Sequence, residues 1–78
     1  MNQNHQEIAE IIAEVVPGWK IDAADAGRSL YELGMDSLDF SSVLMALEDR
    51  FGFNFGEDEL NKVRSFADIC RFVAEKRA

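Results

Sequence analysis

Asp36-Ser37-Leu38-Asp39-Phe40-Ser41-Ser42-Val43-Leu44-Met45-Ala46-Leu47-Glu48-Asp49-Arg50-Phe51-Gly52 is the stretch on which the fold turns. Phe40, Val43, Leu44, Leu47 and Phe51 recur along one helical face, which predicts a helix from about Ser37 to Phe51. Asp36 is a good N-cap, and Asp39 at the third helical position adds a second acid at the positive end of the dipole. Gly52 closes the helix. On the other side of the wheel lie Leu38, Ser41, Ser42, Met45, Glu48 and Asp49. Leu38 and Met45 are therefore expected to be exposed apolar residues, spaced i, i+7, with acids around them. A helix that only completes a core has no use for that pair, whereas one that docks a partner does: apolar anchors for burial and acids for steering.

Outward from this helix the same pattern repeats. Ile8, Ile11, Ile12, Val15 and Val16 form an amphipathic stripe with Glu7, Glu10 and Glu14 opposite, a helix expected to be capped by Asn4 and ended by Pro17-Gly18. Residues 17–36 have no sustained period and read as a long loop pinned by Trp19, Ile21, Leu30 and Leu33, with one helical turn at Ser29-Leu30-Tyr31-Glu32. Glu57-Asp58-Glu59 open a short helix carrying Leu60 and Val63. Ser65 with Asp68 caps a last helix whose stripe is Phe66, Ile69, Cys70 and Val73, with Lys76 and Arg77 in its final turn. Phe51-Gly-Phe-Asn-Phe55 reads as a loop. The expected fold is all-α: an antiparallel four-helix bundle with three longer helices, one short helix and a long first loop, a single domain over 1–78.

Composition narrows the function. Of 78 residues, 47% are hydrophobic and 29% charged, the balance of a globular domain with room for one core. Fifteen acids against eight bases give a net charge of −7, which repels phosphate backbones and anionic lipid, so nucleic acid and membrane insertion are not expected and a basic protein partner is. A single cysteine leaves no internal disulfide and fits a reducing compartment. The polar start Met1-Asn2-Gln3-Asn4-His5 is no signal peptide, and the cytoplasm is the expected location. No catalytic residue is expected: His5, the one histidine, falls in a terminus read as frayed and solvated, and Cys70 falls on an apolar stripe as a small core residue. No metal site is expected either, since Asp22 with Asp25 and the Glu57–Glu59 run lack the order of a calcium loop and read as solvated acids.

The remaining signal is Leu33-Gly34-Met35-Asp36-Ser37-Leu38, which puts a hydroxyl at the first position of a helix after a long loop. Backbone N–H groups there lack partners and the dipole is positive, so a phosphate carried on the Ser37 oxygen would be stabilised by its own helix. The same residues also describe a serine that merely follows an Asp cap.

Leu33-Gly34-Met35-Asp36-Ser37-Leu38-Asp39 resembles the attachment motif of acyl carrier proteins, and Val43-Leu44-Met45-Ala46-Leu47-Glu48 is similar to the rest of their second helix. The resemblance covers nearly the whole chain. It implies that a phosphopantetheinyl transferase attaches 4′-phosphopantetheine from coenzyme A to Ser37, between the flanking Asp36 and Leu38, and that the arm's thiol carries an acyl thioester. The chain would then be a carrier and not an enzyme. Its expected partners are the transferase, an acyl-loading enzyme, and synthase or acyltransferase enzymes with basic docking patches, meeting a monomer at Leu38, Asp39, Ser41, Ser42, Met45, Glu48 and Asp49. Fatty-acid members have acids where this chain has Ser42 and Arg50, and a valine where it has Ser41. That departure points to a polyketide or specialised acyl pathway, with a housekeeping fatty-acid carrier and an aminoacyl carrier as alternatives. An unmodified acidic helical adaptor is the alternative from another class.

Overall fold

The helix expected at the centre of the chain forms over the residues its end signals mark. The computed structural model describes residues 3–77, and the side chains of 5–76. α1 spans Gln3–Val15, α2 Ser37–Phe51, α3 Glu57–Lys62 and α4 Phe66–Arg77, with one 3₁₀ turn at Ala23–Asp25 in the first connection. The architecture is all-helical, as the periodicities predict. At the start of α2 the Asp36 carboxylate accepts the Asp39 N–H at 2.8 Å. At its end Gly52 adopts φ +74°, a left-handed conformation, and donates to the Glu48 carbonyl.

The core fills the space between α1, α2 and α4. Ile8, Ile11 and Ile12 meet Phe40, Val43 and Leu47 of α2 and Phe66, Ile69, Cys70 and Val73 of α4, all buried. Leu44 and Phe51, expected on the buried stripe of α2, are only partly buried at its margins. α3 differs in kind: no residue within Glu57–Lys62 is buried, and Leu60 is exposed. It is a strap held at its ends by Phe55 and Val63, which are buried.

Carboxylates do much of the end-fastening. Ser65 and Asp68 form the expected reciprocal cap on α4: the Asp68 N–H donates to the Ser65 hydroxyl, and the Asp68 carboxylate accepts the N–H groups of Ser65 and Arg64, each at 3.1 Å. Partial burial pushes the Asp68 carboxyl up, but those donors and the nearby Arg71 guanidinium outweigh it and leave the group below its ordinary range. Glu59 accepts the Gly56 N–H and pairs with Lys76 of α4 at 3.0 Å.

The long first connection is stitched to α4 by main chain. Leu30 N–H donates to the Arg64 carbonyl and Ala67 N–H to the Ala26 carbonyl, beside an isolated bridge between Ser29 and Ser65. The expected helical turn at Ser29 is a hydrogen-bonded turn without a capping box, because Ser29 Oγ accepts the Tyr31 N–H rather than that of Glu32. Gly34 at φ +101°, a conformation no right-handed helix can hold, then turns the chain, and Met35 drops into the core.

Two expectations at the N-terminus need correction. α1 already runs at Gln3, so Asn4 lies inside the helix and does not cap it. Its side chain, like Met1 and Asn2, lies outside the described residues, as does the Arg77 side chain. His5 is not a frayed residue: it stands within α1, half-buried, with its ring edge-on to Phe66 at 6.1 Å.

Candidate functional site

The residues singled out by the sequence converge on the start and outer face of α2. Met35, 3% exposed, anchors the chain just before the helix, and Asp36 fixes the first turn through its bond to Asp39. Ser37 follows as the first helical residue with its side chain in solvent. The Asp36 carboxylate is already engaged, so the N–H groups of Ser37 and Leu38 are the donors at this end with no carbonyl inside the helix to bond. The result is a rigidly based, outward-facing hydroxyl at the positive end of a 15-residue helix. Tyr31 packs edge-on against Phe40, one turn along α2, at 5.2 Å, and beside them opens a small cleft of about 160 Å³ lined also by Leu60, Asn61, Val63 and Arg64. Sequence reasoning did not reach this cleft, because its walls come from three separate segments.

Along the outer face, Leu38 is 79% and Met45 67% exposed, as the helical wheel predicts. Ser41, Ser42 and Asp49 are exposed as well, and Asp39 is half-buried. Glu48 departs from the expectation of a free surface acid. Its carboxylate Oε2 accepts the Phe55 N–H at 2.7 Å, in a partly buried position. Arg50 turns the other way and meets Glu14 of α1 at 3.4 Å, an exposed pair that contributes little stability. Met45, Glu48 and Asp49 form one wall of an open notch at the end of α2, and Gly52, Phe53 and Asn54 form the other.

The other candidates are accounted for structurally. Cys70 is 4% exposed, and burial pushes its thiol up to about 11, so it is no nucleophile near neutral pH. Among the described residues, no group of three His, Cys, Asp or Glu side chains could hold a metal ion, and no helix is long and apolar enough to cross a membrane.

Comparison with known proteins shows the family. Residues 6–73 match the family described as "Phosphopantetheine attachment site". The chain belongs to the acyl carrier protein family. Among its relatives are the proteins named acyl carrier protein in Rickettsia typhi, Rickettsia prowazekii and Rickettsia massiliae, each 27% identical over 73 residues, which is 94% of this chain and 85% of the relative. The chain is therefore a carrier and not an enzyme, and its cofactor is covalently bound 4′-phosphopantetheine, whose terminal thiol supplies the sulfur chemistry. A carrier of this kind works by meeting transferase and synthase partners.

Proposed function

We propose that Ser37 is the attachment residue and that the outer face of α2 is the surface partners read. The observation that carries this is the exposed hydroxyl at the first position of α2, inside the motif Asp36-Ser37-Leu38, on a base fixed by the Asp36–Asp39 cap. In the transfer step the Ser37 oxygen forms a bond to the phosphorus bearing the pantetheine of coenzyme A. The pyrophosphate P–O bond breaks, the adenosine bisphosphate half leaves, and the hydroxyl proton passes to a base on the transferase. The product phosphodiester keeps its charge beside the donors of Ser37 and Leu38, where the helix dipole favours an anion. Asp36 and Leu38 flank the site for the transferase. Leu38, Asp39, Ser41, Ser42, Met45 and Asp49 present the docking face to basic patches on the loading and synthase enzymes, while the Glu48 carboxylate is taken up by Phe55 N–H.

The chain acts as a monomeric carrier in the cytoplasm, serving a polyketide or specialised acyl pathway. Serines at 41 and 42 support that pathway by leaving the middle of the docking face without charge, and Arg50 by standing where fatty-acid members have an acid and pairing with Glu14 of α1.

Incubation with coenzyme A, magnesium and a broad-specificity phosphopantetheinyl transferase should raise the intact mass by one phosphopantetheine, and Ser37→Ala should abolish the gain. A gain that survives in Ser37→Ala, or no gain with several transferases, would refute the assignment. Ser42→Glu should improve use by fatty-acid enzymes; an unaltered protein that already serves them fully would remove the pathway reading.

A further inference from the structure

Three backbone N–H groups that follow α2 end on one residue. The Glu48 carbonyl accepts the N–H of Gly52 at 2.9 Å and of Phe53 at 3.2 Å, and its carboxylate reaches Phe55 N–H at 2.7 Å. The carbonyl bonds are the ordinary closure of a helix at a left-handed glycine. The carboxylate bond is an addition. It is short and charge-assisted, and it clamps the backbone where the chain must deliver Phe55 to the core. Phe55 is 6% exposed, and its ring meets Phe53 at 4.9 Å and Phe72 of α4 at 6.3 Å. Since α3 itself buries nothing, the seating of Phe55 decides where the strap begins and where the far wall of the notch, Phe53 and Asn54, stands.

We infer that Glu48 is a positioning residue: it shapes the docking notch by clasping the turn after α2, rather than by offering its charge to a partner. The inference rests on the proposed use of the outer face of α2 for docking. Asp49 and Met45, both exposed, remain the groups a partner reads there, across a turn that Glu48 keeps in register.

Two substitutions separate loss of the acceptor from loss of the charge. Glu48→Gln keeps an acceptor of the same reach and removes the charge, whereas Glu48→Ala removes both. Amide hydrogen exchange on the full chain should show Phe55 and the α3 amides opening at least about tenfold faster in Glu48→Ala, with Glu48→Gln within about threefold of the parent and α1 unchanged in both. The rate of modification by phosphopantetheinyl transferase, or of association with an acyl-loading enzyme, should fall in Glu48→Ala and largely recover in Glu48→Gln. Equal exchange in the two variants overturns the clasp. Equal loss of association in the two, shrinking as salt rises, also overturns it, because charge would then be the property that partners read. If Met45→Ala and Asp49→Lys leave association untouched, the docking reading fails, while the exchange contrast still decides the clasp.

Discussion

Leu47 and Leu38 are the same residue on the same helix with opposite fates, 0% and 79% exposed, and truncating each to alanine tests the rotation of α2 directly. Leu47→Ala removes three carbons from the layer between α1 and α2, a transfer loss of roughly 2–2.5 kcal/mol at about 0.8 per buried carbon. The cavity left behind adds to that, which places the total at about 3–4 kcal/mol, inside the range seen for buried leucines. A domain of 78 residues has a stability of only about 4–12 kcal/mol, so this one change removes a large share of it. Urea unfolding followed by far-ultraviolet circular dichroism measures the loss, and the melting temperature should fall by more than about 12 °C. Leu38→Ala should stay within about 0.5 kcal/mol of the parent, because an exposed side chain holds no core together. A Leu47→Ala loss under about 1 kcal/mol, or a Leu38→Ala loss as large as that of Leu47→Ala, would show that the buried face of α2 has been assigned wrongly.

The Asp68 carboxyl titrates below its unfolded-state value of 3.8, so its caps contribute fully above that pH and are lost as pH falls through the lower folded value. Asp68→Asn should therefore be less stable than the parent at neutral pH, with the gap closing in acid; a gap independent of pH would contradict the cap. Cys70 should resist a thiol reagent near neutral pH in the native protein and react fully in urea, since both burial and a thiol pushed up to about 11 protect it. Rapid stoichiometric reaction without denaturant would place Cys70 at the surface. With a net charge of −7, the melting temperature should rise as moderate salt screens self-repulsion, and a flat response would show that the acids are spread too widely to repel.

What the sequence made legible follows from the range of the forces involved. The bounds of α2 and the cap of α4 depend on neighbours three or four residues away: Asp36 on Asp39, Gly52 on Glu48, Ser65 on Asp68. Such signals survive in any tertiary context and can be read from a string. Met35, Phe55 and Phe72 were not legible as core residues, although each is buried. The first two sit in connections without periodicity, and Phe72 lies beside its helix's main stripe, so only the packed structure tells which apolar residue turns inward. The stitching of Leu30 to Arg64 and of Ala67 to Ala26 joins residues more than thirty positions apart and leaves no local trace. Glu48 shows the opposite failure. Its place on the wheel marked a surface acid, but a loop returning seven residues later engaged its carboxylate.

The outer face of α2 carries the functional argument because its cost is not repaid by folding. Leu38 and Met45 expose apolar surface two turns apart, about 10 Å along the axis, on a helix whose core packing comes from the opposite face. Ser41 and Ser42 between them add neither burial nor charge. A partner that covers this face therefore meets two apolar anchors with a flat polar floor between, Asp39 near one end and Asp49 at the other. Such a surface selects by shape and by the spacing of its anchors, with acids left to steer the approach. Ser37 stands one residue before the first anchor. A partner seated on Leu38 and Met45 thus has the proposed attachment point at the edge of its footprint, and an arm leaving Ser37 starts beside the contact. On the proposed assignment, docking and delivery share one helix, so the approach that buries the anchors also sets the direction from which the cargo arrives.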